Sequence, residues 1–356
     1  MRTVAAHHSQ MKSEVRRLIA DGTVLPAHPL ALHADRTFDR VHQRALTRYY
    51  IDAGSGGLAV GVHTTQFAIR DVGLYRPVLE LAAETASAWT SRPLALVAGL
   101  SGPTKQAVAE AEAARGIGYH AGLLSLAAMK TAREDEIITH CETVAREIPL
   151  VGFYLQPAVG GVVLSANFWR RFASIDNVIA IKIAPFNRYR TLDVLRGVCA
   201  AGALDRIALY TGNDDHILLD LTLPFDLRDK GVTVRTHFRG GLLGHWSMWT
   251  ASAIKQFERC RAARERATIP ADLLALDARV TDCNSAFFDV ANNFQGCIAG
   301  CHEVLRRQGL MEGTWCLDPK EGLSPGQLQE IDRVTNEHAD LADDDFVAAN
   351  LDRWLA

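Results

Sequence analysis

The sequence is short of lysine. Seven lysines stand against 31 arginines in 356 residues, so the setting of each lysine carries information. Charge of one sign is lacking too, with a net charge of only −3 at pH 7. Such a balance gives no electrostatic footprint for nucleic acid, and no basic amphipathic stretch points to a membrane partner. No long apolar run opens the chain. MRTVAAHHSQMKSEVRRLIADG reads as neither signal peptide nor membrane anchor, and a cytoplasmic protein is expected. His7-His8-Ser9 is too short to count as a metal site. Paired cysteine motifs are missing: there are seven cysteines, an odd number, and no CxxC. A site built from Cys283, Cys297, Cys301 and His302 is conceivable, but zinc ligands usually pair at closer, loop-borne spacings. Ordinary buried thiols of a reducing cytoplasm fit better, and no metal is expected. No GxGxxG follows the first apolar run, which weakens a dinucleotide-binding reading.

What the chain does have is rhythm. Short apolar runs lie at 23–32, 57–62, 93–99, 120–126, 150–155, 177–183, 206–212 and 240–246. Amphipathic helical stretches such as GPTKQAVAEAEAARGIG and DEIITHCETVAREI separate them. Near-continuous apolar strands, each followed by a helix, mean a parallel sheet covered by helices. Eight such units predict a (β/α)8 TIM barrel over 21–262, after an N-terminal helical extension at 1–20. Additional C-terminal helices are expected over 263–356, with an insertion from Asp226 to Phe238 before the eighth strand. The acidic stretch Leu323 to Ala356 is expected to pack on the outside or on a partner subunit.

Lys182 alone among the lysines lies inside an apolar strand, V-I-A-I-K-I-A-P. Burying an ammonium is costly, so such a lysine either snorkels out at the strand end or is used. Burial lowers its pKa, and a neutral amine attacks a carbonyl to form an imine. Strand alternation predicts Val178, Ala180 and Lys182 on one inward side, near the C-terminal rim where barrel active sites assemble. Tyr154 ends the preceding run in F-Y-L-Q-P; its phenol is either a proton shuttle or a packed aromatic with a wet hydroxyl. Thr64 and Thr65 follow the second run and either hold a carboxylate or cap a turn. Gly212 allows close substrate approach or simply turns the chain, with Asp214 as the expected helix cap. His63, His216 and His245 fall at strand ends, where an imidazole is either an acid/base or a packed side chain. Trp246 and Trp249 are read as pocket lining, Trp249 equally as core.

The order TT, Y-x-x-P, IK and G-x-D along Thr23 to Trp249 resembles the dihydrodipicolinate synthase and N-acetylneuraminate lyase superfamily. That resemblance implies a TIM barrel, usually a homotetramer, that condenses or cleaves 2-oxo acids, typically pyruvate, through a lysine imine. It implies Lys182 as the Schiff-base lysine and Tyr154 as the proton shuttle. Thr64 and Thr65 would bind the carboxylate, and Gly212 would line the pocket. The family's GTTGE loop is here His63-Thr64-Thr65-Gln66-Phe67. The arginine of the lysine-pathway synthases after Y-x-x-P is replaced at Val159 or a neighbour, and their relay tyrosine at Ala128 or Met129. Both losses argue against dihydrodipicolinate synthase itself.

The expected activity is a class I aldolase or lyase on a 2-oxo acid or related carbonyl compound, needing no cofactor. Its expected partners are a small-molecule carbonyl substrate and further copies of the chain, as dimer or tetramer. An imine-dependent dehydratase of a sugar-derived acid is the alternative, and a non-catalytic binding paralogue a third reading.

Overall fold

The computed structural model describes residues 11–356. Of the expected helical extension at 1–20, residues 1–10, with His7-His8-Ser9, lie outside the described residues. Helix α1 (Ser13–Asp21) follows them. The eight apolar runs each contain one strand of a single parallel sheet. These are β1 (Val24–Pro26), β2 (Gly57–Val60), β3 (Ala95–Leu100), β4 (Ala121–Leu124), β5 (Leu150–Tyr154), β6 (Val178–Ile183), β7 (Ala208–Thr211) and, after an inserted hairpin, β10 (Gly240–Leu243). The sheet order is β1-β10-β7-β6-β5-β4-β3-β2. A parallel bridge between Ala27 and Ala59 closes it into a (β/α)8 TIM barrel. The insertion is a two-stranded antiparallel hairpin, β8 (Phe225–Asp229) with β9 (Val232–Thr236).

The helices that follow the strands are α2 (Arg40–Asp52), α3 (Tyr75–Trp89), α4 (Thr104–Ile117), α5 (Glu134–Ala145), α6 (Ala166–Ala173), α7 (Arg188–Ala200), α8 (Ile217–Thr222) and α9 (Thr250–Arg264). They form there because apolar faces meet the sheet and polar caps stop the ends. The Asp39 carboxylate caps α2 by accepting from the Val41 and His42 N–H groups. The Ser165 hydroxyl caps α6 through Phe168 N at 3.0 Å. Two layers of core result. Leu58, Val60, Leu150, Tyr154, Ile181 and Ile183 point outward to the helices. Ala27, Ala59, Val97, Leu123, Val151, Phe153, Ala180, Ala208 and Leu242 fill the barrel. Val15 and Ile19 of α1 join the inner layer, and the Tyr210 hydroxyl donates to Ile19 O at 2.9 Å. This helix therefore closes the barrel end opposite the strand C-termini.

The expected inward trio at β6 needs correction. Ala180 belongs to the inner layer, but Val178 packs outward, and Ile179 packs against the inner layer. The cause is an irregularity in the β5–β6 pairing, where Leu150 partners Val178 and Val151 partners Ala180.

The C-terminal helices share the outer core of the barrel. They are α10 (Ala271–Phe287), α11 (Cys297–Arg307), α12 (Gln327–Glu337) and α13 (Asp344–Leu355). The acidic final stretch packs on the outside of its own chain. Trp354 is fully buried, and its indole donates to Asp52 at 2.6 Å. The Tyr49 hydroxyl donates to Asp343 at 2.7 Å. Among the described residues, no helix is long and apolar enough to cross a membrane.

Candidate active site

At the C-terminal ends of the strands lies a small, partly open cavity with Lys182 on its wall. Lys182 is 8% exposed, and its ammonium lies 4.6 Å from the centroid of the Phe153 ring. The sheet register puts these two residues side by side. Among the described residues no carboxylate oxygen lies within 4.0 Å of this ammonium, so the lysine has no ion pair. Burial pulls its pKa down to about 8, partly offset by the charge of Asp214 and then Cys297.

Gly212 makes room for this lysine. A Cβ there would meet Lys182 Cε at 2.6 Å and Ala184 Cβ at 2.7 Å. The close approach that the glycine permits is thus that of the lysine stem along β7.

Asp214, expected as a helix cap, instead lines the cavity beside Lys182. Its carboxylate accepts from the His245 backbone N–H at 3.0 Å, and its carbonyl accepts from the Asn284 amide at 2.6 Å. The tight turn that brings it there is braced by Asn213, whose amide oxygen accepts from Phe186 N at 3.1 Å and whose NH₂ donates to Asp220 at 2.9 Å. Burial pushes the Asp214 pKa up to about 7, against the stabilising His245 N–H and the Lys182 charge. A buried amine and a buried acid therefore share one apolar cavity, each held close to neutrality.

The other expected site residues divide. His63 and Thr64 line the cavity. Burial, aided by the Lys182 charge, lowers the His63 pKa to about 4, so its imidazole is neutral near pH 7. The Thr64 hydroxyl donates to Ala27 O at 2.7 Å. The Thr65 hydroxyl is outside the lining: it donates to His28 O at 2.6 Å and accepts from Gly61 N at 2.9 Å. It builds the turn. The first N–H groups of the 3₁₀ turn His63–Thr65 have no partner within that turn and belong to residues on the cavity wall.

Tyr154 does not reach the cavity. Alternation that turns Phe153 inward turns Tyr154 outward, where its ring lies 5.2 Å from that of Trp169 on α6. Its hydroxyl accepts from Leu164 N at 3.3 Å. His245 also stands outside the lining, with its ring against Asn284 Oδ1 at 2.6 Å. His216, just before α8, approaches Asp277 at 3.4 Å, again away from the cavity. Trp246 and Trp249 are core residues: Trp246 packs on Phe257, and Trp249 on Phe287 at 5.1 Å.

Sequence reasoning missed the place of Asp214 in the site and the aromatic wall of Phe153, Phe186, Phe288 and Phe294. Phe153 was accessible by counting in register with Lys182. Phe288, Phe294 and Cys297 come from the C-terminal region and had no local signal. Val159, standing where an arginine was sought, does line the cavity. Of the cysteine set, only Cys297 lines it; Cys283 and Cys301 are buried in the core.

Comparison with known proteins gives a consistent picture. A sequence model described as the Dihydrodipicolinate synthetase family matches residues 22–241. The 4-hydroxy-tetrahydrodipicolinate synthase of Desulforudis audaxviator is 29% identical over 206 residues, covering 56% of this chain and 64% of that protein. That of Nostoc sp. is 29% identical over 237 residues, covering 62% and 72%. Among solved structures, dihydrodipicolinate synthase from Acinetobacter baumannii, complexed with pyruvate, aligns with TM-score 0.72 at 17% identity, over 89% of this chain and 98% of that one. N-acetylneuraminate lyase from Fusobacterium nucleatum aligns with TM-score 0.69 at 18% identity, over 89% and 99%. At such identities these structures speak for the fold.

Proposed function

Since this chain belongs to the Dihydrodipicolinate synthetase family, we propose that it is a lyase that forms or breaks a C–C bond in a 2-oxo acid through an imine on Lys182. The observation that carries this reading is the unpaired, buried amine on the cavity wall. The neutral amine adds to the C2 carbonyl, and loss of water gives an iminium. That cation draws electrons from C3, so a bond at C3 can break or form there. The backbone N–H groups of His63 and Thr64, residues on the cavity wall, are assigned to the carboxylate. Tyr154 is assigned no proton transfer, because its phenol lies behind the strand. Asp214 is assigned that proton transfer instead, since an acid with a pKa near neutrality can both accept and return a proton.

Treatment with pyruvate and borohydride, followed by peptide mass spectrometry, tests the reading. The expected result is reductive mass addition at Lys182, and its loss in Lys182→Ala. No addition with pyruvate or other 2-oxo acids would overturn it. Product analysis for an aldehyde, rather than loss of water or CO₂, separates aldol cleavage from dehydration.

A further inference from the structure

We infer a second ligand site at the opposite end of the barrel, where an arginine-lined cleft takes a small phosphate compound carrying two or more negative charges. This site is independent of the Lys182 reading. The cleft is broad and open, and three parts of the chain meet in it. Asp21 lies just before β1, and Arg239 directly before β10. Arg261, Arg264 and Arg266 come from the end of α9 and the turn after it. The cleft therefore sits at the strand N-termini, with the barrel between it and Lys182.

Five arginines and His237 share this wall with only two acids, Asp21 and Glu265. Two of the arginines are paired, Arg235 with Asp226 at 2.7 Å and Arg261 with Glu258 at 3.3 Å. Among the described residues, Arg239, Arg264 and Arg266 have no carboxylate oxygen within 4.0 Å. Helix geometry explains part of this. A cation at the end of α9 complements the helix dipole, and Arg264 Nε donates to Leu221 O at the end of α8. Its Nη2 is nevertheless shut off from water with no partner. Arg239 is not on a helix at all. Its backbone N–H donates to Leu209 O at 2.8 Å, and a Cβ on Gly22 would meet its carbonyl oxygen at 2.0 Å. Its half-buried side chain is thus presented to the cleft from a fixed root. Burial, then the charges of Arg264 and Arg239, lowers the His237 pKa to about 4. Burial, then Arg261 and Arg239, pulls Arg264 down to about 10, against Cys260 and Glu265. Like charges gathered without counter-ions repel, and a bound anion relieves that repulsion. A guanidinium fork meets phosphate oxygens two at a time. Three unpaired forks suit a ligand with several such oxygens and charges better than a lone carboxylate.

Isothermal titration of the full chain with pyrophosphate at low salt tests this. One site per chain is expected, with a Kd below about 1 mM that weakens as salt rises. Arg239→Gln should weaken binding at least about tenfold, through loss of a charge-assisted contact. Arg266→Gln, at an exposed position, gives the same reading should the first variant fail to fold. Lys182→Ala and, on α3, Arg76→Gln should bind pyrophosphate unchanged. No saturable binding, or binding lost in Lys182→Ala yet kept in both cleft variants, would overturn the inference. Citrate binding as tightly as pyrophosphate would overturn the phosphate assignment.

Discussion

At the scale of single residues, the proposed chemistry rests on two buried groups that desolvation has moved in opposite directions. Lys182 is drawn down to about 8, so imine formation should rise with pH up to about 8 and level off above it. Pyruvate-dependent borohydride trapping across roughly pH 6 to 9.5 measures this; a flat profile would contradict it. Asp214→Asn removes the negative charge that holds the Lys182 pKa up. The rising limb should therefore move to lower pH, trapping should persist, and kcat should fall by roughly 10²- to 10⁴-fold. Tyr154→Phe should leave kcat/KM within about threefold, because only the Leu164 N–H loses a partner and a net hydrogen bond is worth about 1 kcal/mol. A loss of a hundredfold or more would restore the phenol to the reaction.

At the scale of elements, the site depends on how β6 and β7 lie against each other. Lys182 is paired with Tyr210, and Gly212 follows directly where the lysine stem crosses. Gly212→Ala is expected to displace that stem, slowing trapping by more than about tenfold and costing about 1–3 kcal/mol by overpacking. Calorimetry together with trapping rates separates the two effects. The loop after β2 is an element in which hydroxyls serve architecture: Thr64 and Thr65 tie it to the Ala27–His28 strand end. Asp214 shows the same logic. Its helix-cap signal was real in the sequence, yet its carboxylate is engaged by the turn after β10, at His245 N.

At the scale of the whole molecule, the barrel and the C-terminal helices form one core. The segment between α10 and α11 brings Phe288 and Phe294 over the cavity, while α13 returns to α2. Trp354 is fully buried against Tyr49 at 5.3 Å and caps that return. Trp354→Ala should cost about 3–5 kcal/mol, read as a lower Tm and urea midpoint. A change below about 1 kcal/mol would mean that the last helix is a detachable ornament.

The sequence by itself determined the eight strands, the barrel that they close and the exceptional lysine. Those are carried by local periodicity and by the cost of burying one charge in an apolar run. It also showed an insertion from Asp226 to Phe238 before the last strand, though only the structure makes it a hairpin. The tertiary structure alone decided which neighbours face that lysine. Side-chain direction along β5 flips with each residue, so Phe153 rather than Tyr154 meets Lys182. The acid beside it is set by a hydrogen bond from a residue 31 positions away, and half of the aromatic wall, Phe288 and Phe294, by a loop beyond residue 287. Contacts at such separations leave no periodic trace in a single sequence, because the physics that selects them acts only once the chain has closed.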